Sequence, residues 1–247
     1  LRVDADAGDD EEDVLAAAAA MATARIRGGS GGFMLPNHAP LTVAEQFAAL
    51  EAIAPGRIDL GIGRAPGSDP VITALLRSSG VGSDVDRFPD HIIDIISLLS
   101  ADGASLRLTS GQEYRVTSTP AAASVPQVWL LGSSDYSARL AARLGLPYVF
   151  ANHFGAPGLE RALEHYRSAY EPSEAHPVPV TMLTMNVVVA ETAEEAQRRA
   201  LPQARGFARL RSGRPLLAME TIEAALAAPD AELDAAAAAV AAQWIVD

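Results

Sequence analysis

The chain has no cysteine, few aromatic residues and a shortage of positive charge. Without cysteine there is no disulfide, no thiol nucleophile and no thiolate metal site. Lysine and arginine number 19 against 31 aspartates and glutamates, a formal net charge of −12. That balance argues against nucleic acid as a partner, because such proteins carry a basic footprint. It also offers no polybasic segment to an anionic membrane surface. It does not exclude a single bound phosphate, which needs only a local positive group. No run of about 18 apolar residues occurs, so no membrane span is expected. The start of the chain lacks the charged region and apolar core of a signal peptide, and a cytoplasmic protein is expected. Walker loops, Ser/His/Asp arrangements and metal-ligand spacings are missing too. Gly61-Ile62-Gly63 does not extend to a GxGxxG fingerprint, since Pro66 stands where the third glycine belongs.

What is there suits a packed domain. Of 247 residues, 49% are hydrophobic, enough for a sizeable core, and one domain over 1–247 is expected. Residues Leu1 to Asp13 form an acidic lead with little apolar content, read as solvated or disordered. A calcium loop from Asp4 fails, because glycine is wanted at Asp9 and glutamate at Leu15. An alanine-rich helix from Asp13 to Thr23 feeds a strand over Arg25 to Leu35. That strand turns glycine-rich at Gly28-Gly29-Ser30-Gly31-Gly32, which marks a bulge or a close approach of ligand to backbone. Pro36 breaks it. Thr42 and Glu45 read as a capping box for a helix whose buried face is Val43, Phe47, Leu50 and Ile53. Pro55-Gly56 stops that helix. Arg57 to Gly63 is the next strand, with Ile58, Leu60 and Ile62 on one face and Asp59, Gly61 and Gly63 on the other. Arg64 opens a loop to Pro70.

The alternation continues. A short helix is expected over Val71 to Ser78 and an amphipathic one over Phe88 to Ser100. His91 and Asp94 on it are read as surface groups rather than as a metal pair. A hairpin is expected around Ser110-Gly111. Val128 to Leu131 and Tyr148 to Ala151 read as buried strands. Helices follow over Ser137 to Leu144 and Leu159 to Tyr170. Thr181 to Ala190 reads as one long strand, and Thr192 to Glu195 as a capping-box start. The remainder, from Glu220, is alanine-rich helix. Strands alternating with helices fit an α/β fold with a parallel sheet or barrel.

The strongest physical signal for a ligand is Gly132-Ser133-Ser134 with Ser137. There a strand delivers small hydroxyl residues to a helix N-terminus, where free N–H groups and the dipole favour an anion. Simple N-capping by Ser133 or Ser134 is the plain alternative. Asp135 in that first turn opposes an anion if it points inward. Arg64, at another strand end, could pair with the same anion. His38, between Pro36 and Pro40, and His153, directly after a strand end beside Asn152, are weak candidates for acid–base work. The catalytic residue itself is not identified, and no metal site is expected.

Two stretches, GGSGGFMLPNHAPLTVAEQFAALEAIAPGRIDLGIGRAPGSDP and VWLLGSSDYSARLAARLGLPYVFANHF, together resemble the bacterial luciferase-like flavin-dependent monooxygenases. The likeness runs from about Val14 to Val246. It implies a TIM (β/α)8-type barrel with FMN, or in some branches the deazaflavin F420, at the carboxyl ends of the strands. It further implies reduced flavin from a separate reductase, O2, and a small organic substrate. By the same resemblance Gly31 and Gly32 fall where the family often holds a non-proline cis peptide under the flavin ring. Arg64, Ser133, Ser134 and Ser137 fall at the flavin phosphate. The family's Glu-His-His strand has no counterpart, since Leu1 to Asp13 stands there without a histidine. About five strands of a barrel's eight are legible. The expectation is therefore an incomplete barrel that could pair its edges in a homodimer. The alternatives are a non-catalytic flavin-binding relative and a truncated, inactive paralogue.

Overall fold

Glycine and β-branched residues at strand positions, and alanine at helix positions, set the pattern of the computed structural model. It describes residues 9–65, 74, 85–121, 123–155, 157–215 and 217–246. Residues 66–70 of the loop expected from Arg64 to Pro70, all but residue 74 of the helix expected over 71–78, and residues 1–8 of the lead expected over Leu1 to Asp13 lie outside these residues, while Asp9 to Asp13 of that lead are already helical. Helix α1 (Asp9–Ala22) leads into strand β1 (Gly28–Met34), helix α2 (Pro40–Ile53) and strand β2 (Ile58–Gly63). Helix α3 (Phe88–Leu99) and the hairpin β3 (Ala104–Arg107) and β4 (Glu113–Val116) follow. Then come β5 (Gln127–Gly132), α4 (Asp135–Arg143), β6 (Tyr148–Phe150), α5 (Leu159–Ser168), β7 (Thr181–Leu183) and β8 (Val187–Val188). Helices α6 (Ala193–Ser212), α7 (Ile222–Ala227) and α8 (Ala231–Ala241) precede a last short strand, β9 (Ile245–Val246).

Five strands form one parallel sheet in the order β1-β2-β5-β6-β7. Each crossover passes through helices on the same face, as right-handed βαβ units require. Helix α2 covers β1 there, with Phe47 edge-on to Phe33 at 5.8 Å. Helix α5 covers β6, with the Tyr166 ring 5.4 Å from Tyr148. The buried core is built on this face from Phe33, Phe47, Leu60, Ile62, Ile92, Ile95, Leu130, Tyr148 and Tyr166. The opposite face carries Asp59, Gly61, Trp129 and Leu131, in register across β2 and β5. A smaller core joins α6 to α8 through Ala204, Ala208, Leu233, Ala237 and Val240. Among the described residues β1 and β7 are sheet edges, so the barrel is not closed. Met182 and Leu183 on β7 are about half exposed. No helix among the described residues is long and apolar enough to cross a membrane.

Several expectations shift. Helix α2 begins at Pro40, with Ala39 at the N-cap and no side-chain cap, so Thr42 and Glu45 form no capping box. Proline at the first helical position lacks only an N–H that has no partner there anyway, and its fixed φ suits the turn. Ile53 at the other end is 45% exposed rather than on the buried face. His91 is buried, not a surface group. Among the described residues no cluster of histidine and carboxylates could hold a metal. The single strand expected over Thr181 to Ala190 is two short pieces in different sheets. The break falls at Thr184 and Asn186, whose side chains bond the backbone of the β6 end instead of continuing a ladder.

Candidate functional site

The carboxyl ends of β2 and β5 are adjacent, because the two strands pair from Asp59 opposite Gln127 to Gly63 opposite Leu131. That register brings Arg64 beside the loop Ser133-Ser134. The chain contains no lysine, so arginine carries all its side-chain positive charge at neutral pH. Arg64 is exposed. Its guanidinium carbon stands 4.1 Å over the ring of Tyr136, in the first turn of α4. Such a contact contributes about 0.5–1 kcal/mol at an exposed site and orients the cation. The result is a positive group held next to the N-terminal turn of a helix, where N–H groups and the dipole already favour negative charge.

Ser134 is the N-cap of α4, with extended backbone (φ −137°, ψ 160°) and no side-chain capping bond. The capping alternative therefore does not hold for Ser134. Ser133 and Ser134 are both exposed. Ser137 differs, being 4% exposed. It is turned onto Gly132, where an added Cβ would stand 2.2 Å from Ser137 Oγ. Glycine at 132 thus lets the helix start sit close against the strand end. Asp135 is drawn sideways by Arg161 of α5, Nε to Oδ2 at 3.0 Å. That ion pair offsets part of its charge, although Asp135 still acts on the Tyr148 hydroxyl at the β5 end.

The inner face beneath this end is floored by glycine. Leu131 leans across Gly61, whose Cβ would meet Leu131 Cδ1 at 2.9 Å, and reaches Gly32, whose Cβ would lie 3.5 Å from Leu131 Cδ2. Strand β1 carries a register shift between Ser30 and Phe33, the bulge its glycines predict. Ser30 Oγ fills the gap, donating to the Gly61 carbonyl at 2.9 Å and accepting from its N–H at 3.0 Å. Gly32 has φ 148°, a conformation that side chains rarely adopt. The cis bond expected at Gly31-Gly32 is not there. Among the described residues the cis peptide is Thr119-Pro120, where proline lowers its cost. A positive φ at Gly32, together with the bulge, makes the turn in the strand without a cis bond.

The two histidines part company. The His38 ring packs against Phe33, tilted by 53° with ring centroids 4.5 Å apart, beside the β1 end. His153 sits one strand beyond β5, in the 3-10 turn Asn152–Phe154 that follows β6. Its Nδ1 lies 2.9 Å from Thr184 Oγ1. Burial pushes its pKa below the usual imidazole value, which favours the neutral ring. Tyr136, Arg161 and Thr184 were not legible as site residues. Each acts through a partner more than 20 positions away, and no local pattern encodes such a pairing.

Comparison with known proteins gives a consistent result. The profile of the family described as luciferase-like monooxygenase matches residues 9–247. A luciferase-like monooxygenase of Escherichia coli is 41% identical over 191 residues, covering 77% of this chain and 54% of that protein. The N-acetyl-S-alkylcysteine monooxygenase of Bacillus subtilis is 35% identical over 190 residues, covering 75% and 54%. The chain thus spans about half the length of the curated relatives it matches. The crystal structure of apo-MsnO8 has a TM-score of 0.70 at 38% identity, covering 87% of this chain and 60% of that one. The oxygenating constituent of 3,6-diketocamphane monooxygenase from Pseudomonas putida, solved with FMN, has a TM-score of 0.54 at 17% identity. It covers 94% of this chain and 75% of that one, a likeness of fold.

Proposed function

The chain belongs to the luciferase-like monooxygenase family, and from that premise we propose that it binds FMN and uses reduced flavin with O2 to oxidise a small organic substrate. The observation that carries this reading is the Arg64–Tyr136 pair beside a helix start whose N-cap serine leaves its hydroxyl free of capping. Those groups fit a flavin phosphate. Arg64 would supply the charge, Ser133 and Ser134 hydroxyl donors, and the first turn of α4 its N–H groups. Ser137 acts from behind, packing the turn against Gly132 rather than reaching the ligand. The glycine-floored face from Gly31-Gly32 to Gly61, with Leu131 across it, suits one side of a flat ring system. F420, which also presents a phosphate, is the alternative ligand of the same site.

Bound reduced flavin supplies two electrons, so that one atom of O2 enters the substrate and the other leaves as water. The protein's own part is to anchor the phosphate, keep water from the reacting centre and hold the substrate. A separate reductase would provide the reduced flavin. The chain would work as one barrel-type domain in the cytoplasm, with its exposed β7 edge paired in a homodimer. A relative is named for N-acetyl-S-alkylcysteine, so thioethers are the first substrates to try, with long-chain aldehydes beside them.

The test is to add reduced FMN, protein and each substrate to buffer equilibrated with 18O2, and to follow the product by mass spectrometry. A product heavier by one labelled oxygen, formed only with protein, supports the reading. Flavin binding without any oxygenated product favours a non-catalytic flavin carrier instead. Absence of flavin binding contradicts both.

A further inference from the structure

One strand along from the phosphate end, a second polar cluster gathers at the ends of β6 and β7. The Thr184 hydroxyl donates to the Phe150 carbonyl at 3.1 Å. The same oxygen lies 2.9 Å from His153 Nδ1, and with its one proton on the Phe150 carbonyl it accepts from the ring. The His153 backbone N–H also approaches it, at 3.4 Å. In that arrangement Nδ1 carries the imidazole proton and Nε2 is the acceptor. Asn186 holds the turn from the other side, its Nδ2 donating to the His153 carbonyl at 2.7 Å. The Phe154 ring backs the imidazole at 4.1 Å.

His153 lines a cavity of about 100 Å³, together with Asn152, Asn186, Gln243 and Trp244. That volume holds about three waters or one small polar group, and is far too small for a flavin ring. The charged group facing this turn is Arg211 of α6, whose guanidinium donates to the Phe154 carbonyl and lies 3.5 Å from Gln243 Oε1. Among the described residues no carboxylate offsets the burial of the imidazole.

We propose that His153 is a proton acceptor of the active site and that Thr184 is its positioning residue, Nε2 receiving an O–H or N–H donor from the substrate, or from water held against it, in this cavity. The inference rests on the flavin reading for its reaction, but its geometry belongs to the protein alone. Thr184 sets which nitrogen is basic, and the turn that carries His153 follows the carboxyl end of β6, beside β5.

Long-range 1H–15N spectra of the whole protein at pH 7.5 test the first part. The account requires His153 protonated at Nδ1 alone, and loss of that preference in Thr184→Val. Kinetics test the second part. His153→Gln should hold FMN within twofold of wild type, lower kcat by 10- to 100-fold and lose the acidic limb of the kcat/KM profile. Thr184→Val should displace that limb without abolishing it. A ring protonated at Nε2, or charged at pH 7.5, overturns the inference. So does a His153→Gln enzyme with wild-type kcat and pH profile and intact FMN binding. A wild-type protein that fails to bind FMN at all removes the flavin reading, and the catalytic role with it.

Discussion

The guanidinium of Arg64 stacks on the ring of Tyr136 at 4.1 Å, joining the end of β2 to the first turn of α4. Neither residue alone would mark a ligand site. Together they hold a cation beside the first turn of a helix.

Removing the cation should cost binding rather than folding. Arg64→Ala should weaken FMN by about 10- to 100-fold, the range of a charge-assisted bond worth about 1.5–3 kcal/mol. Tyr136→Leu, which keeps bulk but loses the ring, should weaken it by about fivefold, since the orienting contact contributes about 1 kcal/mol. Fluorescence titration reads both, and the melting temperature should stay within about 2 °C of wild type.

Two N-caps with different duties give a paired prediction. Thr192 Oγ1 accepts from the Glu195 N–H at 3.2 Å, so Thr192→Ala should cost about 1 kcal/mol of stability. Ser134 makes no such bond, so Ser134→Ala should cost less than about 0.5 kcal/mol while weakening FMN. Urea unfolding of the two variants, beside their FMN affinities, checks the contrast.

Gly132→Ala puts a Cβ where Ser137 Oγ and Cβ stand, at 2.2 and 2.7 Å. The helix start must move off the strand end. We expect about 1–3 kcal/mol of destabilisation and a loss of FMN affinity larger than that of Ser134→Ala. Calorimetric unfolding and the FMN titration measure the two effects.

Tyr166 ties α5 to the strands. Its hydroxyl donates to the Leu146 carbonyl at 2.9 Å and accepts from the Val180 N–H at 3.1 Å. Burial raises its pKa to about 12. A raised folded pKa means that its contribution is complete below the unfolded value of about 10 and is lost as pH rises through about 12. Stability should thus fall between pH 10 and 12 in wild type. Tyr166→Phe should be less stable by about 1–3 kcal/mol at pH 8, because it strands buried backbone groups. It should also show a shallower alkaline decline. Denaturant midpoints against pH decide it.

Much of this was legible beforehand, for identifiable reasons. The strands at Ile58, Gln127 and Tyr148 were visible as apolar runs between turn residues, and the glycines of β1 did mark a bulge. The helix starts were less so. Thr42 has the sequence of a cap, but Pro40 starts the helix three residues sooner because its ring geometry already fits the first turn. Thr181 to Ala190 has the composition of one strand. It breaks because Thr184 and Asn186 find backbone partners across space, at Phe150 and His153, which periodicity cannot register. The places of Arg64 at a strand end and of the serines at a helix start were readable. Tyr136 under the arginine, and Arg161 drawing Asp135 aside, depend on which strands become neighbours.

The most direct test of the phosphate site compares FMN with riboflavin, which has the same ring and no phosphate. Titrated into the wild-type protein, FMN should bind at least tenfold tighter, and Arg64→Ala should erase most of that difference. Equal affinities for FMN and riboflavin, or a preference untouched by Arg64→Ala, would contradict the assignment of the anion to the α4 N-terminus.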